Sequence, residues 1–359
     1  MPRITYVALI SLTALLTACG GGNGRLTPVP PGNPGAPTPP AISTTPTPNP
    51  SATPAPLSAT VYSLPQAFQF PREIVSGPDG NLWFTWSDGM SNVSGIGKVT
   101  TDGSITEYTG SAAGGIAAGP DGNVWFGTSD GIAKSTTAGV ITDYPVTVCP
   151  NQGAGEITTG PDGALWFTVG YNCNEIVRST TSGSMTAYPI PSRPGSIITG
   201  PDGNLWFTLT NAIAKMTTSG SVTVYQQPAT SQPLSLVAGP DGNVWFTDND
   251  NAVGRIMPNG TVTEYPLPSR GINSWPTAIT AARDGNLWFE EKGTGLVGEI
   301  TMAGVITEYP FSGPYAPPTD ITSGPDGNLW LVASGGQGGY VEKVVLPDAT
   351  QSIRKRVSR

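Results

Sequence analysis

The chain has 359 residues, a net charge of −8 and no histidine; 12% of its residues are charged and 47 are glycine. That balance excludes a broad basic face for nucleic acid, and the missing imidazoles exclude a Ser-His-Asp triad, a Cys-His pair and a histidine-ligated zinc. Length and glycine content together fit a large core crossed by many tight turns.

Residues 1–18 read as an export signal: Arg3 precedes an apolar run over residues 4–16 that is too short to span a membrane. Leu16, Thr17, Ala18 and Cys19 resemble the bacterial lipobox, in which the cysteine is lipidated and becomes the new N-terminus; an ordinary secretory signal is the alternative. Gly20, rather than aspartate, follows the cysteine, which by resemblance to Gram-negative sorting signals favours outer-membrane retention. The expected location is therefore exported and lipid-anchored, at the outer membrane and periplasm or the cell surface. Residues 19–57 then comprise lipidated Cys19 and a tether in which glycines give way to twelve prolines from Pro28 to Pro56. Such a segment predicts extended, polyproline-like coil with no core of its own.

From here a phrase close to Gly-Pro-Asp-Gly-Asn-Leu-Trp-Phe recurs seven times, its tryptophans at Trp83, Trp125, Trp166, Trp206, Trp245, Trp288 and Trp330, 39 to 43 residues apart. That period holds one four-stranded propeller blade. A small-residue strand leads into Pro-Asp-Gly, a tight turn in which proline presets one dihedral and glycine supplies positive φ. The second strand is apolar on consecutive residues, as expected where both faces are covered. A third strand and an outer strand ending Thr-Glu-Tyr, as at Thr263, Glu264 and Tyr265, complete the unit. The seventh repeat lacks its outer strand, and residues 60–65 supply one ahead of the first repeat. The prediction is an all-β, seven-bladed propeller over residues 58–347, closed by this N-terminal strand pairing in the last blade, because an open ring leaves sheet edges unpaired.

Cys149 and Cys173 fall in connections at one end of the ring, and in an exported protein they predict a disulfide, with two free thiols as the alternative. They do not by themselves complete a zinc shell, so no metal site is expected. Residues 348–359 are a basic tail, read as solvated or as a weak contact with anionic lipid or polymer. The seven turn aspartates and repeat tryptophans read as structural. Trp86 and Trp275 stand outside the repeat template, and Asp248 and Glu291 directly follow their Trp-Phe-X triplets, so these four are the candidate ligand-binding residues, at one end of the propeller.

The repeat phrase and the Ile-Gly-Lys and Ile-Thr-Glu-Tyr-Pro cadence resemble the virginiamycin B lyase (streptogramin lyase) family from Val61 to Val345. The resemblance implies a seven-bladed propeller and magnesium-assisted elimination that opens cyclic depsipeptide antibiotics. It also implies Pro-His pairs leading into the inner strands of blades six and seven, where this chain has Thr277 and Thr319. The family's carboxylates fall at Pro317 and about Ser334. Threonine is no general base near neutral pH, and proline and serine remove the hard anionic ligands that magnesium prefers. Two classes of function stay open. One is a monomeric, non-catalytic, lipid-anchored module without cofactor, membrane-bound through its lipid and partnered by an envelope glycan, peptide or protein. The other is a divergent streptogramin B-type carbon-oxygen lyase, for which alone magnesium is expected.

Overall fold

The computed structural model describes residues 43–44, 54–66, 68–89, 91, 93–149, 152–170, 173–269, 274–311, 318–336 and 338–346. The export signal, Cys19, most of the tether, Pro317 and the basic tail lie outside the described residues. The described residues fall within one compact unit, Pro39–Arg359.

Seven antiparallel sheets form the ring. Blade one comprises Gln69–Ser76, Leu82–Asp88, Ser94–Val99 and Ile105–Gly110, from the axis outward. The inner strands of adjoining blades pack side by side, and that of blade seven, Pro318–Ser323, lies against that of blade one. Second strands such as Val124–Thr128 and Leu205–Leu209 are buried at every position, which accounts for their unbroken apolar runs. The strand Ala59–Ser63 pairs antiparallel with Gly338–Val344, from Ala59 opposite Val344 to Ser63 opposite Tyr340, so the N-terminal strand closes the ring as expected.

The repeated phrase encodes one packing unit. In blade one the Trp83 indole N–H donates to Asp79 Oδ1 at 3.0 Å, and the Lys98 ammonium stands 5.4 Å from the Trp83 ring and 3.9 Å from Asp79. Tyr108 stacks beside the same indole at 5.8 Å. The tryptophan-to-aspartate bond recurs in all seven blades at 2.9–3.0 Å. Each aspartate therefore satisfies a buried indole N–H.

One expectation changes. The tether was expected to be extended coil with no core of its own, yet Ser43–Thr44 pairs parallel with the outer strand of blade five, Val262–Pro266, with Ser43 opposite Thr263. Farther on, the Leu57 N–H donates to the Pro310 carbonyl of blade six at 2.9 Å. An outer strand offers a row of unpaired backbone groups, and an extended chain matches them. Accordingly Thr263 is buried, whereas Thr106, Thr142, Thr186 and Thr223 at the same place in other blades are exposed.

Candidate functional site

Six inner strands begin with a break in register against the second strand: between Pro71 and Ile74, Ala112 and Ile116, Pro194 and Ile197, Pro233 and Leu236, Pro276 and Ile279, and Pro318 and Asp320. A bulge leaves residues unpaired and re-aims their side chains. Directly before the inner-strand isoleucine or leucine, blades one to seven carry Glu73, Gly115, Glu156, Ser196, Ser235, Ala278 and Asp320 at one equivalent position. All but Gly115 line an axial channel of about 430 Å³.

Inner strands present an open edge to the axis, and several of these side chains fill it. The Ile74 N–H donates to Asp320 Oδ2 at 2.8 Å, the Leu236 N–H donates to Ser196 Oγ at 3.2 Å, and the Ile116 N–H donates to Glu73. Glycine at 115 is a packing requirement: a Cβ there lies 3.1 Å from Glu73 Oε2 and 2.9 Å from the Glu156 Cα. With none, the carboxyls of blades one and three meet across blade two and share a hydrogen bond.

Burial pushes the Glu73 carboxyl well above the usual range, and the charges of Glu156 and Asp320 push it further. Burial also raises Glu156, and its hydrogen bond with Glu73 acts in the opposite direction. Asp320 is pushed up to about 7 by burial, despite the N–H groups of Ile74 and Ile321. Both glutamates are half-buried and line the channel.

Above the pair the channel opens into a mouth of about 730 Å³ at the end where the inner strands begin. Glu73 and Glu156 form part of its lining, together with Arg72, Gln152 and Arg193 and a wall containing Gly114, Gly153, Gly155 and Gly170. The expected disulfide joins Cys149 to Cys173. It ties the segment before Gln152 to the one after Gly170 and braces that wall. The two sulfurs and a Glu175 oxygen lie within 4.8 Å of one another, but the sulfurs are spent in the disulfide and offer no thiolate to a metal.

The register sets Trp86 opposite Pro71, Asp248 opposite Pro233 and Glu291 opposite Pro276, at the same end as the mouth. Trp275 is 48% exposed and holds a positive φ of 46°. The other three candidates turn inward. Trp86 packs with Leu64, Ile74 and Trp330, and only 4% of it is exposed. Asp248 is buried, bonding the Ser231 hydroxyl and accepting the N–H groups of Gln232 at 3.1 Å and Asp250 at 2.9 Å. Glu291 is buried with Thr294 and Ser269 donating at 3.0 and 3.1 Å, and burial, then Glu308, pushes it up to about 7. Of the four, Trp275 alone is exposed at that end. Trp86→Ala is expected to cost about 3–5 kcal/mol of stability, the range for emptying a large aromatic site, rather than to leave melting unchanged. Chemical denaturation measures this.

At the places where the resemblance implies histidines, the Thr277 hydroxyl bonds the Glu290 carboxylate, and Thr319 Oγ1 donates to the carbonyls of Val332 at 3.2 Å and Pro71 at 3.4 Å. Ser334 Oγ reaches the Pro71 carbonyl at 3.5 Å. The positions where the resemblance implies metal-binding carboxylates hold Pro317 and Ser334, which offer magnesium no anionic oxygen.

A profile of the virginiamycin B lyase family matches residues 57–148 and 148–345. The chain is similar to a solved streptogramin B lyase, at 30% identity and a TM-score of 0.71, over 80% of this chain and 97% of that one. It is also similar to a catalytically inactive histidine-to-alanine variant of the Staphylococcus aureus virginiamycin B lyase, solved with quinupristin, at 31% identity and a TM-score of 0.69, over 80% of this chain and 99% of that one. An extracellular domain from B. thetaiotaomicron shares the fold at 18% identity and a TM-score of 0.61, over 79% of this chain and 42% of that one. A search of curated proteins returned no match. The seven blades, the repeated phrase within them and this similarity over most of both chains agree that the protein belongs to the virginiamycin B lyase family.

Proposed function

We propose that this chain is an exported, lipid-anchored propeller that binds a ligand of the cell envelope without transforming it, the mouth over blades one to four being the seat. One observation carries this reading: both histidine positions of the family are threonines whose hydroxyls are engaged within the fold, in a chain with no histidine elsewhere. The solved Staphylococcus aureus variant, inactive after a histidine was replaced by alanine, supports it. Lipid attachment at Cys19 and export rest on the sequence, with the Cys149–Cys173 disulfide in keeping with an oxidising compartment. The Ser43–Thr44 pairing shortens the reach of the tether, because only the residues ahead of it separate the lipid from the ring.

The proton-sharing pair Glu73 and Glu156 favours a second reading, a carbon-oxygen lyase that uses carboxyls in place of histidine as acid and base. The test is mass-spectrometric detection of ring opening in a streptogramin B antibiotic, with magnesium and stoichiometric protein. No linearised product is expected. Turnover that Glu156→Gln abolishes would replace the binding reading with the lyase.

A further inference from the structure

We propose that the mouth over blades one to four takes a short zwitterionic peptide, its carboxylate against Arg72 and Arg193 at the rim and its ammonium against Glu73 and Glu156 on the floor. The inference rests on the mouth being the binding seat and adds the chemical class of its ligand.

Charge is sorted by depth in one cavity. Arg72 is exposed and anchored through Nε to Ser87 Oγ at 3.3 Å, which holds its guanidinium at the rim. Arg193 is exposed as well, and its Nε lies 3.2 Å from where a Cβ of Gly170 would stand, so its side chain lies across the blade-three wall. A guanidinium is suited to a carboxylate because its donors form a planar fork.

The floor has the opposite sign. Asp320 and Glu73 each accept an inner-strand N–H and so have work in the fold, whereas the Glu156 carboxyl bonds that of Glu73. Glu156 is thus the carboxylate with capacity to spare, in the lining of both mouth and channel. Three carboxyls at the axial position, with no lysine or arginine among the residues lining the channel, set a potential that favours an ammonium there.

The wall between the two levels argues against a bulky apolar ligand. It is largely glycine with Thr128 and Thr168, and the glycines are tight against backbone: a Cβ on Gly114 comes within 2.4 Å of the Ala154 carbonyl oxygen. A slender polar chain with an anion at one end and a cation at the other matches what the cavity presents. This seat is formed by blades one to four, whereas Thr277 and Thr319 belong to blades six and seven.

Three probes test the proposal by isothermal titration calorimetry on the folded domain: trialanine, N-acetyl-trialanine and trialanine amide. Trialanine is expected to bind at least about tenfold more tightly than either capped form, the usual worth of one charged hydrogen-bonding partner. Glu156→Gln is expected to erase the advantage over the acetylated probe, and Arg193→Ala the advantage over the amide, with melting curves checking that each variant folds. Equal affinities for the three probes on the wild-type domain, or no binding of trialanine, would overturn the proposal. Either result leaves the ring-opening assay standing, so failure here is distinct from failure of the non-catalytic reading.

Discussion

Deleting residues 57–66 is expected to unfold the propeller rather than trim it. The strand Ala59–Ser63 contributes five paired positions to blade seven, and its loss leaves Gly338–Val344 as an open edge at the closure. Tyr62 stacks on Trp330 at 5.9 Å and covers Gly103 of blade one, so one side chain joins the last blade to the first. Leu64 is buried with Ile74, Trp86 and Trp330, and its N–H donates to the Gly339 carbonyl at 3.0 Å. Losing a buried leucine alone costs about 2–5 kcal/mol. With the ladder and the tyrosine, the sum is comparable to the roughly 5–15 kcal/mol that holds a domain folded. Circular dichroism and thermal melting of the truncated domain check this. A cooperative melt at the intact temperature would refute closure by this strand.

The parts legible in the sequence are those the repeat writes seven times. The Trp-Asp bond, the turn glycines and the missing outer strand supplied by residues 60–65 depend on a local pattern that recurs in every blade. The mouth was not legible because it is built at bulges, where a register break destroys the alternation from which facing is read. A signal was nevertheless present: aligning the blades on the residue before the inner-strand isoleucine or leucine shows Glu73, Glu156 and Asp320 where other blades have glycine, alanine or serine. Position alone placed Trp86, Asp248 and Glu291 at the end where the mouth opens, but not their direction. Asp248 turns inward because Ser231 and two nearby N–H groups satisfy it, and Trp86 because Leu64, in the closing segment, supplies its cover. Those partners lie outside the repeat and carry no periodic signal.

The domain is expected to be more stable near pH 5 than near pH 8, a difference that the turn aspartates alone would not give. Burial opposes ionisation of Asp326, but hydrogen bonds from Lys343, Asn328 and Trp330 outweigh it and hold the group at about 2. Asp79, Asp121, Asp162, Asp202 and Asp241 are likewise lowered. A lowered group contributes stability above its unfolded value near 4 and loses it only on acidification toward its folded value, so these six make no difference between pH 5 and 8. Raised groups act the other way. Asp320, Glu291 and Glu342 are each pushed up to about 7, with burial the largest cause. The folded state holds their protons where the unfolded chain has released them, so stability falls as pH rises from about 4 through 7. At about 1.4 kcal/mol per pH unit for each group, the combined loss is several kcal/mol, or a fall in melting temperature on the order of 5–10 °C.

Glu342 isolates one contribution. It occupies the place held by Gly97, Gly254 and Gly298 in other blades, where a phenylalanine ring covers the glycine; Leu331 stands opposite instead and leaves room for a side chain. Glu342 is 1% exposed and its Oε2 has no partner, so ionising it strands a charge in the protein interior. Glu342→Gln is therefore expected to raise the melting temperature at pH 8 and flatten the slope between pH 5 and 8, while changing little at pH 5. Calorimetry at constant ionic strength distinguishes the cases: a wild-type melting temperature that does not fall between pH 5 and 8 would show that these buried carboxyls are ionised at little cost.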